Sequence, residues 1–256
     1  MRKIIVSLIA ILTCITTGAT QKYPELIEVT GGTFTIGNNY GDGDLDEEPA
    51  HEVTLTDYYI GRTEVTVKQY RTYCRAKGIS MPEKPEGGWE NDEPIVNISW
   101  DDAIGYCEWL SDELEISITL PTEAQWEFAA RGGNKSQGYK YSGSDDLATV
   151  GWYVENSKSK RQPVAKKKAN ELGLYDMSGN VWEWCFDKYR YDYYENSPDL
   201  DPQGPEESSF RVLRGGCWFY PPYYCRNANR GNSVSYARIS IGFRIASSGI
   251  DEDLDD

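Results

Sequence analysis

The feature that most constrains this chain is the loss of periodicity after Gly133. From there to about residue 245 the sequence is dense in Gly, Pro, Asn, Ser and aromatic residues, with no helical repeat and no sustained alternation. Local propensity cannot order so long an irregular stretch, because fixing each residue costs conformational entropy that no regular hydrogen-bond ladder offsets. Aromatic packing, bound cations or disulfides are therefore expected to hold it, and eight Trp and 19 Tyr supply the packing material.

The first half reads more regularly. Tyr23–Ile36 alternates as a strand broken at Gly31-Gly32, and Val53–Ile60 reads as a second strand. Between them Gly37–Glu52 reads as a long solvated acidic loop, in which Asp42, Asp44 and Asp46 alternate. Thr66–Lys77 places Tyr70, Tyr73 and Cys74 at helical spacing, with Gly78 placed to end the helix. Ser99 can cap a second helix to about Leu114, with Asp102 near its positive end and Ala103, Tyr106, Cys107 and Leu110 on one face. Thr122 and Gln125 form a capping box for a third helix, Glu123–Arg131, stopped by Gly132-Gly133. The expectation is an irregular α+β fold of low secondary-structure content, in one domain over residues 20–250, since 256 residues that are 39% hydrophobic can build one sizeable core.

Arg2 and Lys3, the apolar run Ile4–Leu12 and the small residues Thr17-Gly18-Ala19 read as an export signal over residues 1–19. The run is too short to span a bilayer, and no later segment reaches the ~20 apolar residues a transmembrane helix needs. The chain is thus expected to be exported: periplasmic, secreted or displayed on the cell surface. Cys14, after Ile11-Leu12-Thr13, faintly resembles a lipoprotein cleavage box and marks an alternative anchor. A net charge of −15 opposes nucleic acid and anionic lipid as partners, and the acidic tail 251–256 reads as a solvated end. Cleavage after Ala19 leaves five cysteines, so at least one thiol is expected to be free or paired between chains. The chain has no CxxC and a single histidine, His51, so zinc, haem and histidine-ligated iron lack ligands. His51, beside Pro49 in the acidic loop, reads as a surface residue.

Six phrases follow in order: GGTFTIG at Gly31–Gly37, YYIGRTEVT at Tyr58–Thr66, VNISWDDAIGYCEWL at Val96–Leu110, LPTEAQWEFAARGG at Leu120–Gly133, GLYDMSGNVWEW at Gly173–Trp184, and RVLRGG with GFRIA between Arg211 and Ala246. Together they resemble the formylglycine-generating enzyme (sulfatase-modifying factor) superfamily, a variant of the C-type lectin fold, over essentially the whole chain after residue 19. The resemblance implies structural calcium in the loop 176–183, with side-chain oxygens from Asp176 and Glu183 and backbone carbonyls from Gly179 and Val181. It also implies, for active members, copper between two thiolates spaced Cys-x4-Cys. Here Cys225 falls on the second cysteine, Tyr220 on the first and Cys217 on the family's serine, so the pair is incomplete.

The segment Phe219–Ile241 has a different character. It carries Phe219, Tyr220, Tyr223, Tyr224 and Tyr236 among Asn, Ser, Arg, Gly and Pro, and it contains no Lys, Glu, Asp, Gln or Met. Tyr with Ser and Asn is a paratope-like mixture, large contact area beside adaptable hydrogen bonding. The pattern resembles the variable proteins of diversity-generating retroelements, in which adenine-specific mutagenesis rewrites AAC codons. Residues 219–224 and 231–241 can all be reached from such codons. In that reading Cys225-Arg226-Asn227-Ala228-Asn229-Arg230 and Gly242-Phe243-Arg244 are scaffold. The sequence points first to a ligand-binding protein that meets a protein or glycan through Phe219, Tyr220, Tyr223, Tyr224, Asn232, Ser233, Ser235, Tyr236, Arg238 and Ser240. A copper-dependent oxidase acting on a peptide cysteine through Cys225 and Cys217, and a structural subunit of an envelope complex, are the alternatives.

Overall fold

The helices begin where short polar side chains can satisfy their first free N–H groups. In the computed structural model, which describes residues 22–38, 41–237 and 240–248, helix α1 spans Val67–Lys77 and α2 spans Trp100–Leu114. Thr66 and Ser99 cap them, each accepting from the third residue on while that side chain reaches back to the cap, as a capping box requires. Gly78 closes α1 in the left-handed region at φ 67. Their apolar faces meet: Tyr70, Cys74, Ala103, Tyr106, Cys107 and Leu110 are all buried. Tyr106 packs edge-on to Phe243 at 5.3 Å, which ties the helix pair to the C-terminal end of the chain. Helix α3, Glu123–Ala130, is capped in the same way by Thr122 and is buried along nearly its whole length. A single turn of helix, α4, lies at Leu147–Val150.

The strands form three small sheets. Strands β1 (Leu26–Val29), β4 (Tyr58–Gly61) and β9 (Ala246–Ser247) make an antiparallel sheet in the order β1-β4-β9. Strands β2 (Gly32–Ile36) and β3 (His51–Leu55) form a hairpin with Gly32 opposite Leu55 and Ile36 opposite His51. The third sheet runs β7-β6-β5-β8, from β5 (Trp182–Lys188), β6 (Phe210–Arg214), β7 (Gly231–Val234) and β8 (Ile241–Gly242). Strand β7 lies at its edge, paired only with β6 on this sheet.

The structure corrects three expectations. Val53–Ile60 is not one strand: it breaks at Thr56-Asp57 into β3 and β4, which belong to different sheets, and the Asp57 carboxylate accepts from Gly31 N at 2.8 Å where β1 likewise hands over to β2. The acidic loop 37–52 is not simply solvated, for Glu47 has no exposed surface and Asp46 is buried. His51 is the first residue of β3, its Nδ1 2.9 Å from Pro49 O and its ring edge-on to Tyr194 at 5.2 Å. The five described cysteines, Cys74, Cys107, Cys185, Cys217 and Cys225, are buried and form no disulfide. The export segment with Cys14, and the tail 251–256, lie outside the described residues.

Candidate functional site

The irregular second half is held by a means absent from the composition argument: buried arginines, each gripped by a carboxylate far away in sequence. Arg230 donates from Nε and Nη2 to Glu123 at 2.8 and 2.9 Å and from Nη1 to Asp46 O at 2.7 Å. Arg226 makes a two-pronged pair with Glu47 at 2.7 and 2.6 Å. Arg244 does the same with Glu183 at 2.7 Å for both bonds, and also reaches Gly61 O and Tyr175 O. Arg214 bonds Glu127 and Ala228 O. Burial alone would raise the Glu123 carboxyl, but Arg230 and Arg214 outweigh it and hold it below its ordinary value. Removing one partner of such a pair strands a charge in the interior, at a cost of ~3–5 kcal/mol.

These arginines divide the C-terminal chain into alternating blocks. Residues 225–230 are buried without exception, as are 241–247. Residues 218–224 and 231–237 between and before them are all half-buried or exposed. Gly216 makes the tight turn into the first window: it sits at φ +72, and a Cβ there would come within 2.7 Å of Tyr224 O and 2.9 Å of Cys225 Sγ.

Within the windows, Tyr236 is 74% exposed, Phe219 and Tyr223 are also exposed, and Asn232 is exposed on β7. Tyr220 and Tyr224 are half-buried and pack ring to ring at 4.7 Å, forming a platform beneath Phe219 (4.8 Å from Tyr220) and Tyr223 (5.4 Å from Tyr224). Tyr223 is seated on the frame, its carbonyl accepting from Arg226 Nε at 2.9 Å and its ring 4.3 Å from that guanidinium. Trp182 joins the two windows: its ring meets Tyr220 at 5.8 Å and fills the space a Cβ on Gly231 would need. Ser233 and Ser235 are half-buried beside Asn232, the Ser235 carbonyl accepting from Trp100 N at 2.8 Å. Ser240, at φ +56, accepts from Trp182 N through its carbonyl at 3.3 Å. Arg238 lies outside the described residues.

In the loop 176–183, the residues that the resemblance assigns to calcium differ in what they have to offer. Asp176 is buried with Oδ2 accepting from Ala165 N at 2.7 Å, while Oδ1 has no partner among the described residues. Burial pushes its carboxyl up to about 6. Glu183 spends both oxygens on Arg244 and accepts from Trp126 Nε1 at 2.8 Å as well, so a cation would compete with an ion pair for it. Glu64, which the sequence did not single out, adds a third buried carboxylate whose Oε2 lacks a partner among the described residues. Its carboxyl is raised by burial and then by Asp176 and Glu183. Gly179 lets this loop pass Trp152, for a Cβ there would sit 2.2 Å from Trp152 O. Of the two loop carboxylates, Asp176 is therefore the one with an oxygen left to offer. Asp44, Asp46 and Glu47 also approach one another within 4.8 Å, but Glu47 is gripped by Arg226, and Asp46 accepts from Tyr189 Oη at 2.7 Å.

The copper arrangement does not fit the residues present. Tyr220 stands where one thiolate is needed, and its ring is engaged by its aromatic neighbours. Cys217 is pushed up to about 12 by burial, and burial raises Cys225 further, so both sit as neutral thiols. They pack in different apolar clusters. Of the residues that the sequence did not single out, Trp182 and Glu64 lie inside the quoted phrases, where a structural role concealed their place beside the site, and Trp218 follows RVLRGG by one residue.

Comparison with known proteins agrees with this architecture. Residues 13–248 match the model of the sulfatase-modifying factor enzyme 1-like domain. The formylglycine-generating enzyme of Streptomyces coelicolor is 30% identical over 86% of this chain and 88% of its own length. Among solved structures, Treponema denticola variable protein 1 is 30% identical with a TM-score of 0.75, covering 87% of this chain and 94% of that one. PvdO from Pseudomonas aeruginosa is 27% identical with a TM-score of 0.77, covering 89% and 95%. The α+β fold is therefore the formylglycine-generating-enzyme type of C-type lectin fold, and the chain belongs to the sulfatase-modifying factor enzyme 1-like family.

Proposed function

We propose that this chain is an exported ligand-binding protein whose contact surface is the pair of windows 218–224 and 231–237. The observation that carries this reading is the block pattern of burial: every frame residue from 225 to 230 is buried, whereas the aromatic and small polar residues on either side reach solvent. Exposed Phe219, Tyr223 and Tyr236 on a rigid base are what a contact surface requires, because rigid aromatic anchors lose little entropy on binding. The likeness to a protein named a variable protein supports the idea that the windows are also diversified. Calcium held by Asp176 and loop carbonyls belongs to the same proposal as a structural ion; a rise in melting temperature on adding calcium, abolished in Asp176→Asn, is the expected result.

The test uses a photo-crosslinking amino acid placed at Phe219, Tyr223 or Tyr236, with Ile79 and Tyr191, exposed elsewhere, as control positions. Adducts in the producing cell or its surroundings should arise from the first three positions and not from the controls. Equal labelling from all five would remove the proposed face. A single stoichiometric partner with an invariant gene sequence would shift the reading to an envelope subunit. Sequencing the 3′ end of the gene across a growing population tests diversification: variation should concentrate in the windows where a template copy carries adenine. Stoichiometric Cu(I) binding with aldehyde formation on a cysteine peptide would instead establish the oxidase.

A further inference from the structure

A cleft of about 530 Å³ opens beside the aromatic face, within the ~300–1,000 Å³ typical of small-ligand sites. Trp218 and Ser240 form its border with the face. Its far wall is the segment Glu83–Gly87, which is tied down near both ends. Asn97 Nδ2 donates to Glu83 O at 3.1 Å, and Arg161 donates to Gly88 O while stacking over Trp89 at 5.5 Å. The third side is Ser159-Lys160.

Two features set this cleft apart from an ordinary surface hollow. Among the described residues nine non-glycine positions have positive φ, and three of them, Asn97, Ser159 and Ser240, line this one cleft. Left-handed backbone at non-glycine residues is costly and gathers where function requires a particular surface. The second feature is charge balance. Arg161 is paired with Glu93 at 2.8 Å, and the remaining charged residues of the lining balance, Lys84 and Lys160 against Glu83 and Glu86. In a chain of net charge −15, such a lining attracts neither cations nor anions. It presents donors and acceptors side by side, with one half-exposed indole as an apolar wall.

We infer that the cleft binds a neutral saccharide. Ring hydroxyls both donate and accept, so they can pair with ammonium groups, carboxylates, Asn97 and the serines at once, while the apolar face of a sugar ring packs on Trp218. An acidic peptide would find two glutamates opposing it, and a basic one two lysines. The inference does not depend on a second, macromolecular ligand at the windows.

The experiment is binding of the purified full chain to an array of neutral hexose and N-acetylhexosamine chains beside uronic-acid chains, sulfated chains and acidic peptides, followed by calorimetric titration of the best neutral chain. Neutral saccharides should bind. Lys84→Met and Glu86→Gln, both on exposed side chains, should each weaken binding about tenfold or more, the loss expected for one hydrogen bond to a charged group. Tyr223→Ala and Tyr236→Ala should leave saccharide affinity unchanged, which separates this site from the face. Binding confined to the anionic chains or acidic peptides, no saccharide binding at all, or full affinity in both the Lys84 and Glu86 variants would each overturn the inference. Unchanged melting temperatures of these two variants exclude a folding defect as the cause of any loss.

Discussion

The α1–α2 pair and the C-terminal third are ordered by opposite means. The helices are specified locally, through reciprocal caps at Thr66 and Ser99 and apolar faces a few residues apart. The C-terminal third has little regular structure and is fixed by charge pairs that reach across the chain, Arg226 to Glu47 and Arg230 to Glu123. Local specification commits the surface as well, because a helix needs each of its turns. Long-range anchoring at a few buried points leaves the chain between them free to present side chains. Exposed side chains such as Phe219, Asn232 and Tyr236 between the buried anchors are the consequence.

The comparison breaks most readily at an anchor. Arg230→Ala should cost ~3–5 kcal/mol, because Glu123 is left charged and buried. Removing both partners in the double variant Arg230→Ala, Glu123→Ala should cost less than the sum of the single losses, a coupling read by denaturant unfolding. A smaller effect is expected at Asp187, whose carboxyl burial, then Glu123, push up to about 8. A carboxyl raised in the folded state binds its proton more tightly there than when unfolded. Its contribution is therefore full below its unfolded value near 4 and is lost as pH rises through about 8. Asp187→Asn should remove that slope and stabilise the protein at pH 8.5 by roughly 1–2 kcal/mol, or about 2–4 °C in Tm. At the helices, Ser99→Ala should cost about 1 kcal/mol, the usual value of one cap. Smallest of all, Tyr236→Ala and Phe219→Ala should change stability by no more than about 0.5 kcal/mol while abolishing crosslinking to the ligand.

Legibility in the sequence follows the same division. The caps at Ser99 and Thr122, the stop at Gly78 and the buried faces of α1 and α2 could be read directly, since their signals lie within a few residues. The division at Thr56-Asp57 could not, because VTLTDYYI alternates straight through it and only Asp57 reaching Gly31 turns the chain to another sheet. Nor could the clasp of Glu47 on Arg226, for an acidic loop carries no mark of a partner 179 residues away. At the site, the composition of Phe219–Ile241 put breaks after 224 and after 230, where burial changes, but it counted Ile241 with the second window although that residue is buried in β8. It did not show that Tyr220 and Tyr224 lie partly beneath their neighbours, nor that Glu183 is gripped by Arg244. The cleft beside Trp218 was invisible because its walls come from segments near residues 85, 97, 160 and 240, which are far apart in sequence, and only the second of them lies in a quoted phrase.

The most direct test of the account is saturation mutagenesis of residues 217–244 with protease resistance of the displayed protein as the readout. The account predicts broad tolerance at Phe219, Tyr223, Asn232 and Tyr236 and near-complete intolerance at Arg226, Arg230 and Arg244. Windows as intolerant as the frame would contradict it, since their aromatics would then be holding the fold rather than meeting a ligand.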